Sequence, residues 1–364
     1  MDADNPATLH RRNTSLLQAA MQHQGWESCF LSELTLIRWL SGFSGSSARI
    51  LLTPQGGRLY TDFRYRDQAA SEVHGMETII TNDGFIDALR SDPAHIGATM
   101  AVQAAHLTWQ EATRLQAILP LHSRMVAADE TTEGIRMVKT GLEITRMRRA
   151  VAISEAVLAE ILPLINDRVT ERDIAAEISY RHLRHGADGD SFAPIVASGV
   201  RSAMPHARPT DARFRTGEPI VIDFGCTIDG YASDQTRTVV LGRAPEPFRT
   251  IYAIVRQAQE SAIAAARSGM PASDLDAIAR QQIAQQGYAT YFGHGLGHGI
   301  GLDVHELPRI SSRSSHKLQP GMLFTIEPGI YLPDRYGVRI EDTVLLTSEG
   351  ATPLQQWTKE LLEL

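Results

Sequence analysis

Four acidic residues stand inside or at the end of two pairs of apolar, strand-like stretches, and this placement restricts the fold more than any other feature of the 364-residue chain. Pro219-Ile220-Val221-Ile222-Asp223 reads as one strand and Tyr231 to Val240, which carries Asp234, as another. Asp229-Gly230 between them supplies the turn chemistry of a hairpin. Leu323 to Glu327 and Val338 to Leu346 repeat the layout around Pro333-Asp334, with Glu327 and Glu341 equally far from Asp334. Each hairpin is therefore expected to bring its two acids close together across the ladder. A single acid in such a place reads as a surface charge. Two similar hairpins that each project a pair into a core require a compensating cation.

A fifth candidate comes from Gly293-His294-Gly295-Leu296-Gly297-His298-Gly299-Ile300-Gly301, where every second residue is glycine. That pattern is hostile to a helix and suits a backbone lying close to a ligand. His305-Glu306 follows, but Arg309 stands where the second histidine of an HExxH zinc signature would be. Asp223, Asp234, His298, Glu327 and Glu341 together form a hard, oxygen-rich ligand set suited to a pair of divalent ions such as Mn or Co. Four ionised carboxylates offset two doubly charged ions, so a closed pocket can hold both at low net charge. The residues alone thus lead to a two-metal hydrolase. The chain has no P-loop, no GxSxG elbow and no convincing GxGxxG.

Composition narrows the alternatives. Hydrophobic residues at 43% and charged residues at 21% describe a globular protein, and the length favours two domains. A formal charge of -7 gives no electrostatic reason to expect nucleic acid or an anionic membrane as partner, and Arg146-Met147-Arg148-Arg149 reads as a solvated helix face. Met1 to Arg12 lacks the apolar core of a secretory signal, and no stretch approaches the ~20 apolar residues of a membrane helix. Cys29 and Cys226 are far apart without a partner motif, which fits a reducing cytoplasm. Cys226 reads as a small buried residue at a strand end, a poor nucleophile.

The fold class expected is α+β, with an α/β domain over 1–132 followed by a catalytic domain over 133–364. In the first, Ala48 to Leu52 and Leu59 to Thr61 predict a hairpin, Glu77 to Thr81 and Ile96 to Val102 strands, and Arg64 to Val73 and Thr108 to Ala117 helices. Polar residues from Ala128 to Glu133 suggest the boundary. Gly141 to Leu162 then predicts one long amphipathic helix ended or bent by Pro163, with a second helix capped near Thr170. A long helix after Pro247 and another capped at Ser273 repeat that order before the glutamate hairpin. Glu143 precedes Asp223 by as many positions as Pro247 precedes Glu327, a pseudo-repeat that places one acid pair from each half around a shared centre.

These segments resemble the pita-bread metallopeptidase family, which includes Xaa-Pro aminopeptidase, prolidase, methionine aminopeptidase and creatinase. The resemblance covers nearly all the chain. VIDFGCTIDGYASDQTRT from Val221 to Thr238 is similar to the segment supplying two aspartate ligands; HGLGHGIGLDVHE from His294 to Glu306 to the histidine segment; FTIEPG and VRIED to the two glutamate segments. By that resemblance Asp223, Asp234, His298, Glu327 and Glu341 bind two divalent metal ions, Mn first, with Co, Fe or Zn as alternatives. Ser191-Phe192 through Ile195 to Met204-Pro205-His206-Ala207 resembles the substrate loop of the proline-directed branch. His206, His305 and Arg339 match positions that line its active site. Ile37 to Ser46 and Thr61 to Tyr65 look like the creatinase-type N-terminal domain, which methionine aminopeptidases lack.

The function implied is removal of an N-terminal residue when proline follows, the Xaa-Pro aminopeptidase reaction, with Xaa-Pro dipeptidase (prolidase) as the alternative. Two metals would activate water, Glu327 would accept its proton, and His206 and His305 would bond the scissile carbonyl. His294 would help shape the proline pocket. Arg339 would either bind substrate or orient carboxylates through a salt bridge. Proline-containing peptides are the expected partners and a cytoplasmic homodimer the expected form. Non-catalytic pita-bread binding modules are a distant alternative, because those cousins lose metal ligands and all five positions are filled here.

Overall fold

Both acid-bearing hairpins form, and each is broken once. The computed structural model describes residues 5–82, 84–91 and 93–364. In the first hairpin Pro219–Phe224 pairs antiparallel with Gln235–Val240, while Cys226–Ile228 pairs with Tyr231–Ala232 beyond the break. The expected continuous strand from Tyr231 to Val240 is therefore interrupted at Ser233-Asp234. Asp229 and Gly230 both take positive φ (50° and 80°), the left-handed conformation that a tight two-residue turn demands. In the second hairpin Leu323–Ile326 pairs with Asp342–Leu346, and Gly329–Leu332 with Tyr336–Arg339. The partners Leu332 and Tyr336, Gly329 and Arg339, and Ile326 and Asp342 are all centred on Asp334, as the spacing of the glutamates predicts.

These hairpins belong to the unit Met137–Leu364, which is compact in itself, as is Met1–Arg136. The second unit packs each hairpin under a pair of helices. Gly141–Ile161 opens with a capping box, Thr140 to Glu143, and gives way at Pro163 to the 3-10 turn Leu162–Leu164. Glu171–Arg184 follows, capped by Thr170. Val157, Ile161, Ile174 and Ile178 from this pair bury against Ile220, Ile222 and Phe224. Glu246–Ala265 and Ala272–Gln285 stand in the same relation to the second hairpin, with Phe248, Val255, Leu275 and Ile283 packed against Phe324, Ile326 and Ile340. The expected cap at Ser273 is not found. Pro271 is the N-cap, its fixed φ (−60°) sets the entry of the helix, and Ser273 lies inside the first turn.

The unit Met1–Arg136 is a six-stranded mixed sheet in the order 77–80, 56–61, 48–53, 28–31, 99–102 and 124–127, with Phe30, Leu51, Tyr60 and Met100 in its core. Its predicted hairpin and helices are present. The polar residues after Ala127 form the short helix Asp129–Gly134, whose Asp129 carboxylate accepts from the backbone N–H groups of Ala104 and Ala105 at 2.9 Å each. Among the described residues no helix is long and apolar enough to cross a membrane.

Candidate metal centre

The two hairpins meet edge to edge, and the meeting line fixes the carboxylates. Glu341 N–H donates to Thr236 O at 3.1 Å, and Thr238 Oγ1 donates to Arg339 O at 2.8 Å. Asp234 lies in the break of the first hairpin, Glu327 and Glu341 in that of the second, and Asp223 near the end of its strand. At a break the side chain is freed from the strict alternation of a ladder and can be aimed sideways.

His298 arrives on the short strand Gly297–Gly299, sandwiched between Glu306–Ile310 and Leu323–Ile326. The glycine alternation has its cause here. A Cβ on Gly297 would run into Thr325 O and one on Gly299 into Leu307 O, so these glycines let backbones of neighbouring strands approach. The backbone of Gly293, Gly295 and Gly297 also lines the cavity around the candidate ligands, so close strand packing adds to the expected approach of backbone to a ligand.

All five predicted ligand residues line one cavity of about 970 Å³, together with His206, His294, His305 and Arg339. Asp234, His298 and Glu341 offer ligand atoms within 4.8 Å of one another. His298 Nε2 lies 3.2 Å from Glu327 Oε1 and 3.6 Å from Asp234 Oδ2, while its Nδ1 faces Gly299 O at 3.1 Å. Thr236 Oγ1 donates to Glu341 Oε2 at 2.6 Å, and Thr325 Oγ1 donates to Glu327 Oε1 at 3.1 Å.

Electrostatically the cluster wants positive charge. Burial, and then the charge of Asp223, push Asp234 far above the usual carboxylate range; burial, and then Asp234 and Glu327, do the same to Glu341. Asp223 is raised by burial despite the opposing Arg339. Burial also works against ionised Glu327, but the hydrogen bond and charge of His298 hold it down to about 2. Burial lowers His298 as well, and Glu327 and Asp234 together lift it to about 9. Asp223 Oδ1 is buried with no hydrogen-bond partner among the described residues. An orphaned carboxylate oxygen beside mutually repelling acids and an imidazole fits divalent cations, which take such donors and remove the repulsion.

Arg339 lines the cavity and spends most of its donors on protein. Its guanidinium is buried and bonds Asp223, Thr236 Oγ1 at 3.0 Å, Tyr331 Oη at 3.0 Å and Pro205 O at 3.1 Å. It orients Asp223 and leaves few donors for anything else. His294 Nε2 lies 3.0 Å from Tyr331 Oη, and the His305 ring stands edge-on to that of His298 at 4.3 Å. Burial, with the charges of His298 and Arg309, depresses His305 to about 4. Cys226 is buried outside the cavity lining and its thiol is pushed up by burial, consistent with a packing role.

Sequence reasoning missed Thr236 and Thr325, which bond the candidate ligands Glu341 and Glu327, Tyr331, which bonds Arg339 and His294, and Arg309 and Arg313, which line the cavity from exposed positions. A signal for the first existed: Gln235-Thr236-Arg237-Thr238 is a polar run inside a strand buried on both faces.

Residues 145–348 match the model of metallopeptidase family M24, and residues 14–138 match that of the creatinase/prolidase N-terminal domain. Among solved structures, the Xaa-Pro dipeptidase from Bacillus anthracis superposes with a TM-score of 0.93 at 32% identity, covering 98% of this chain and 100% of that one. The X-Pro aminopeptidase from Thermotoga maritima MSB8 gives 0.89 at 35% identity, over 96% and 99%. An Xaa-Pro dipeptidase from Pyrococcus furiosus is 45% identical over 234 residues, 64% of this chain and 67% of that protein.

Proposed function

Because the chain belongs to metallopeptidase family M24 and carries a creatinase/prolidase N-terminal domain, we propose that it hydrolyses the peptide bond preceding proline, with an Xaa-Pro dipeptide as its preferred substrate. One observation carries the reading: a single cavity joins the carboxylate–histidine cluster to His206, His294 and His305 and to apolar walls of Phe192, Ile195, Val304 and Tyr331. Polar donors aimed at a carbonyl beside an apolar pocket suit an imide bond whose ring must be held by shape.

Asp223, Asp234, His298, Glu327 and Glu341 would hold two divalent ions, with Mn the first candidate. Bound ions supply Lewis acidity and make water a competent nucleophile near neutral pH. Glu327 accepts the proton of the attacking water, since it is the least enclosed of the four carboxylates. His206 and His305 donate to the carbonyl oxygen as it gains charge, His294 shapes the proline side, and Arg339 keeps Asp223 in place.

The dipeptide preference rests on Arg309 and Arg313. Both line the cavity, and among the described residues neither is paired with an acid. Free guanidinium groups beside the site suit the terminal carboxylate of a short substrate. Aminopeptidase action on longer chains is the second reading, favoured by a cavity of about 970 Å³, roomier than a dipeptide requires.

Mass-spectrometric assay of Mn-loaded enzyme, with a chelated control, on an Xaa-Pro dipeptide, the same dipeptide as its C-terminal amide, and an Xaa-Pro-Ala tripeptide tests both. Metal-dependent cleavage of the free dipeptide, with the amide cut at least about tenfold more slowly, is expected. Equal cleavage of all three establishes the aminopeptidase reading, and cleavage of none with metal bound removes the proline specificity.

A further inference from the structure

His206 lines the cavity, yet the segment that carries it belongs to no ladder. It leaves the strand Ile195–Ser198, makes the 3-10 turn Gly199–Ala203 and runs irregularly to Thr210. Both ends of this segment converge on one side chain that is absent from the cavity wall: Glu171, wholly buried, the first residue of the helix Glu171–Arg184. Glu171 Oε1 accepts from Ser198 N–H at 2.8 Å and Ser198 Oγ at 3.0 Å. Oε2 accepts from Thr210 N–H at 3.0 Å, Thr210 Oγ1 at 2.8 Å and Arg201 Nε at 3.1 Å.

We propose that Glu171 is a positioning residue for His206, clamping both ends of the segment 198–210 so that the imidazole is held at the cavity wall; this rests on the reading of His206 as a donor to the scissile carbonyl. The chemistry of the clamp calls for an acceptor on both sides of the side chain. Three of the five groups, the Ser198 and Thr210 N–H and Arg201 Nε–H, can only donate, and at least one of them meets each oxygen, so each oxygen must accept. Glutamine has nearly the same shape, but it would turn an N–H₂ group toward other N–H and O–H donors whichever way its amide faced. The far side of the segment is already fixed: Gly337 N–H donates to Ser202 Oγ at 2.9 Å, and Arg339 Nη1 donates to Pro205 O at 3.1 Å. The acid closes the open side. Arg201 also reaches Arg208 O at 2.6 Å, which ties the two limbs flanking His206 through the same hub.

Loss of the clamp loosens the segment without touching the carboxylate cluster, and a catalytic donor displaced by about 1 Å can cost on the order of a hundredfold in rate. Glu171→Gln, His206→Ala and the double variant are compared as Mn-loaded full-length enzymes by hydrolysis of an Xaa-Pro dipeptide, metal analysis, and hydrogen exchange read by mass spectrometry. Glu171→Gln is expected to lower kcat about tenfold to a hundredfold with KM and metal content nearly unchanged, and to accelerate amide exchange across 199–209 but not in the two acid-bearing hairpins. Because the clamp acts through His206, adding Glu171→Gln to His206→Ala is expected to lower the rate no further.

Independent, multiplying losses would show that Glu171 acts elsewhere and would overturn the proposal, as would unchanged exchange over 199–209. An impaired His206→Ala beside a normal Glu171→Gln defeats the clamp alone. An unimpaired His206→Ala defeats the reading of His206 and the catalytic consequence of the clamp with it. Arg201→Met, at a partly exposed position, removes one donor and carries the same comparison should Glu171→Gln fail to fold; its effect is expected in the same direction and smaller.

Discussion

The aspartate hairpin carries a backbone hydrogen bond of its own across its break, whereas the N–H groups of Glu327 and Glu341 at the break of the glutamate hairpin turn to its neighbours. In the first, Ser233 N–H donates to Cys226 O at 2.8 Å across the break, and Gly225 is so close to Ser233 O that a Cβ would overlap it. In the second, Glu327 N–H turns away to Leu296 O at 2.8 Å, on the histidine segment, and Glu341 N–H turns to Thr236 O at 3.1 Å, on the aspartate hairpin. Backbone groups released by a break must find partners. Neighbours also meet the aspartate break on its carbonyl side, where Gly225 O accepts from Ser191 N–H at 3.0 Å and Asp234 O from Thr343 Oγ1 at 3.1 Å and Gln355 Nε2 at 2.9 Å, so the difference lies in the N–H groups, and those of Glu327 and Glu341 tie the glutamate hairpin to both segments that carry the other candidate ligands. Two similar hairpins thus divide the work of one site unequally.

The comparison breaks most sharply at Asp234. Asp234→Ala is expected to reduce turnover to the detection limit and lower bound metal while circular dichroism shows a folded protein; full activity with both ions bound would remove Asp234 from the ligand set. The close approach at Gly225 predicts next that Gly225→Ala destabilises by about 3 kcal/mol or more in urea unfolding, because backbone must move. Gly329→Ala, at the other break, presses on the Tyr331 ring and not on backbone, and because that hydroxyl bonds Arg339 and His294 it should cost about 2 kcal/mol and lower turnover as well. Equal losses would show that the two breaks are held alike.

Arg339→Lys probes the joint between the hairpins. A lysine keeps the charge but cannot span Asp223, Thr236, Tyr331 and Pro205 at once, so kcat should fall about ten- to a hundredfold. Thr236→Val should give the smallest effect, about a tenfold loss of metal affinity by titration calorimetry, since it removes the hydroxyl that orients Glu341 and leaves the backbone bridge. An unchanged affinity would mean that the backbone alone aims Glu341.

Much of this arrangement is legible along the chain where the cause is local. Asp229-Gly230 dictates a tight turn, and the equal spacing of Glu327 and Glu341 about Asp334 matches the observed register. Thr140 and Thr170 announce their helices because a hydroxyl can satisfy backbone N–H groups only a few residues away. The cap expected at Ser273 fails for an equally local reason, as Pro271 already sets the helix entry. The breaks were not legible, because a ladder stops where a neighbour from elsewhere offers a better partner, and no window of sequence contains that neighbour.

By itself, then, the sequence determined the inventory: strand runs ending in acids, a glycine-spaced histidine segment, two helix–helix–hairpin repeats, and a donor set whose charge calls for cations. Tertiary structure alone decided that Arg339 bonds Asp223, that Gly297 and Gly299 admit neighbouring strands, and that Glu171 holds the His206 segment from outside the cavity. The reason is one of range. Turns, caps and periodicities are settled among residues a few positions apart, whereas the direction of a buried charge is settled by whichever partner the packed chain brings within hydrogen-bond distance, and Arg339 and Asp223 are 116 positions apart.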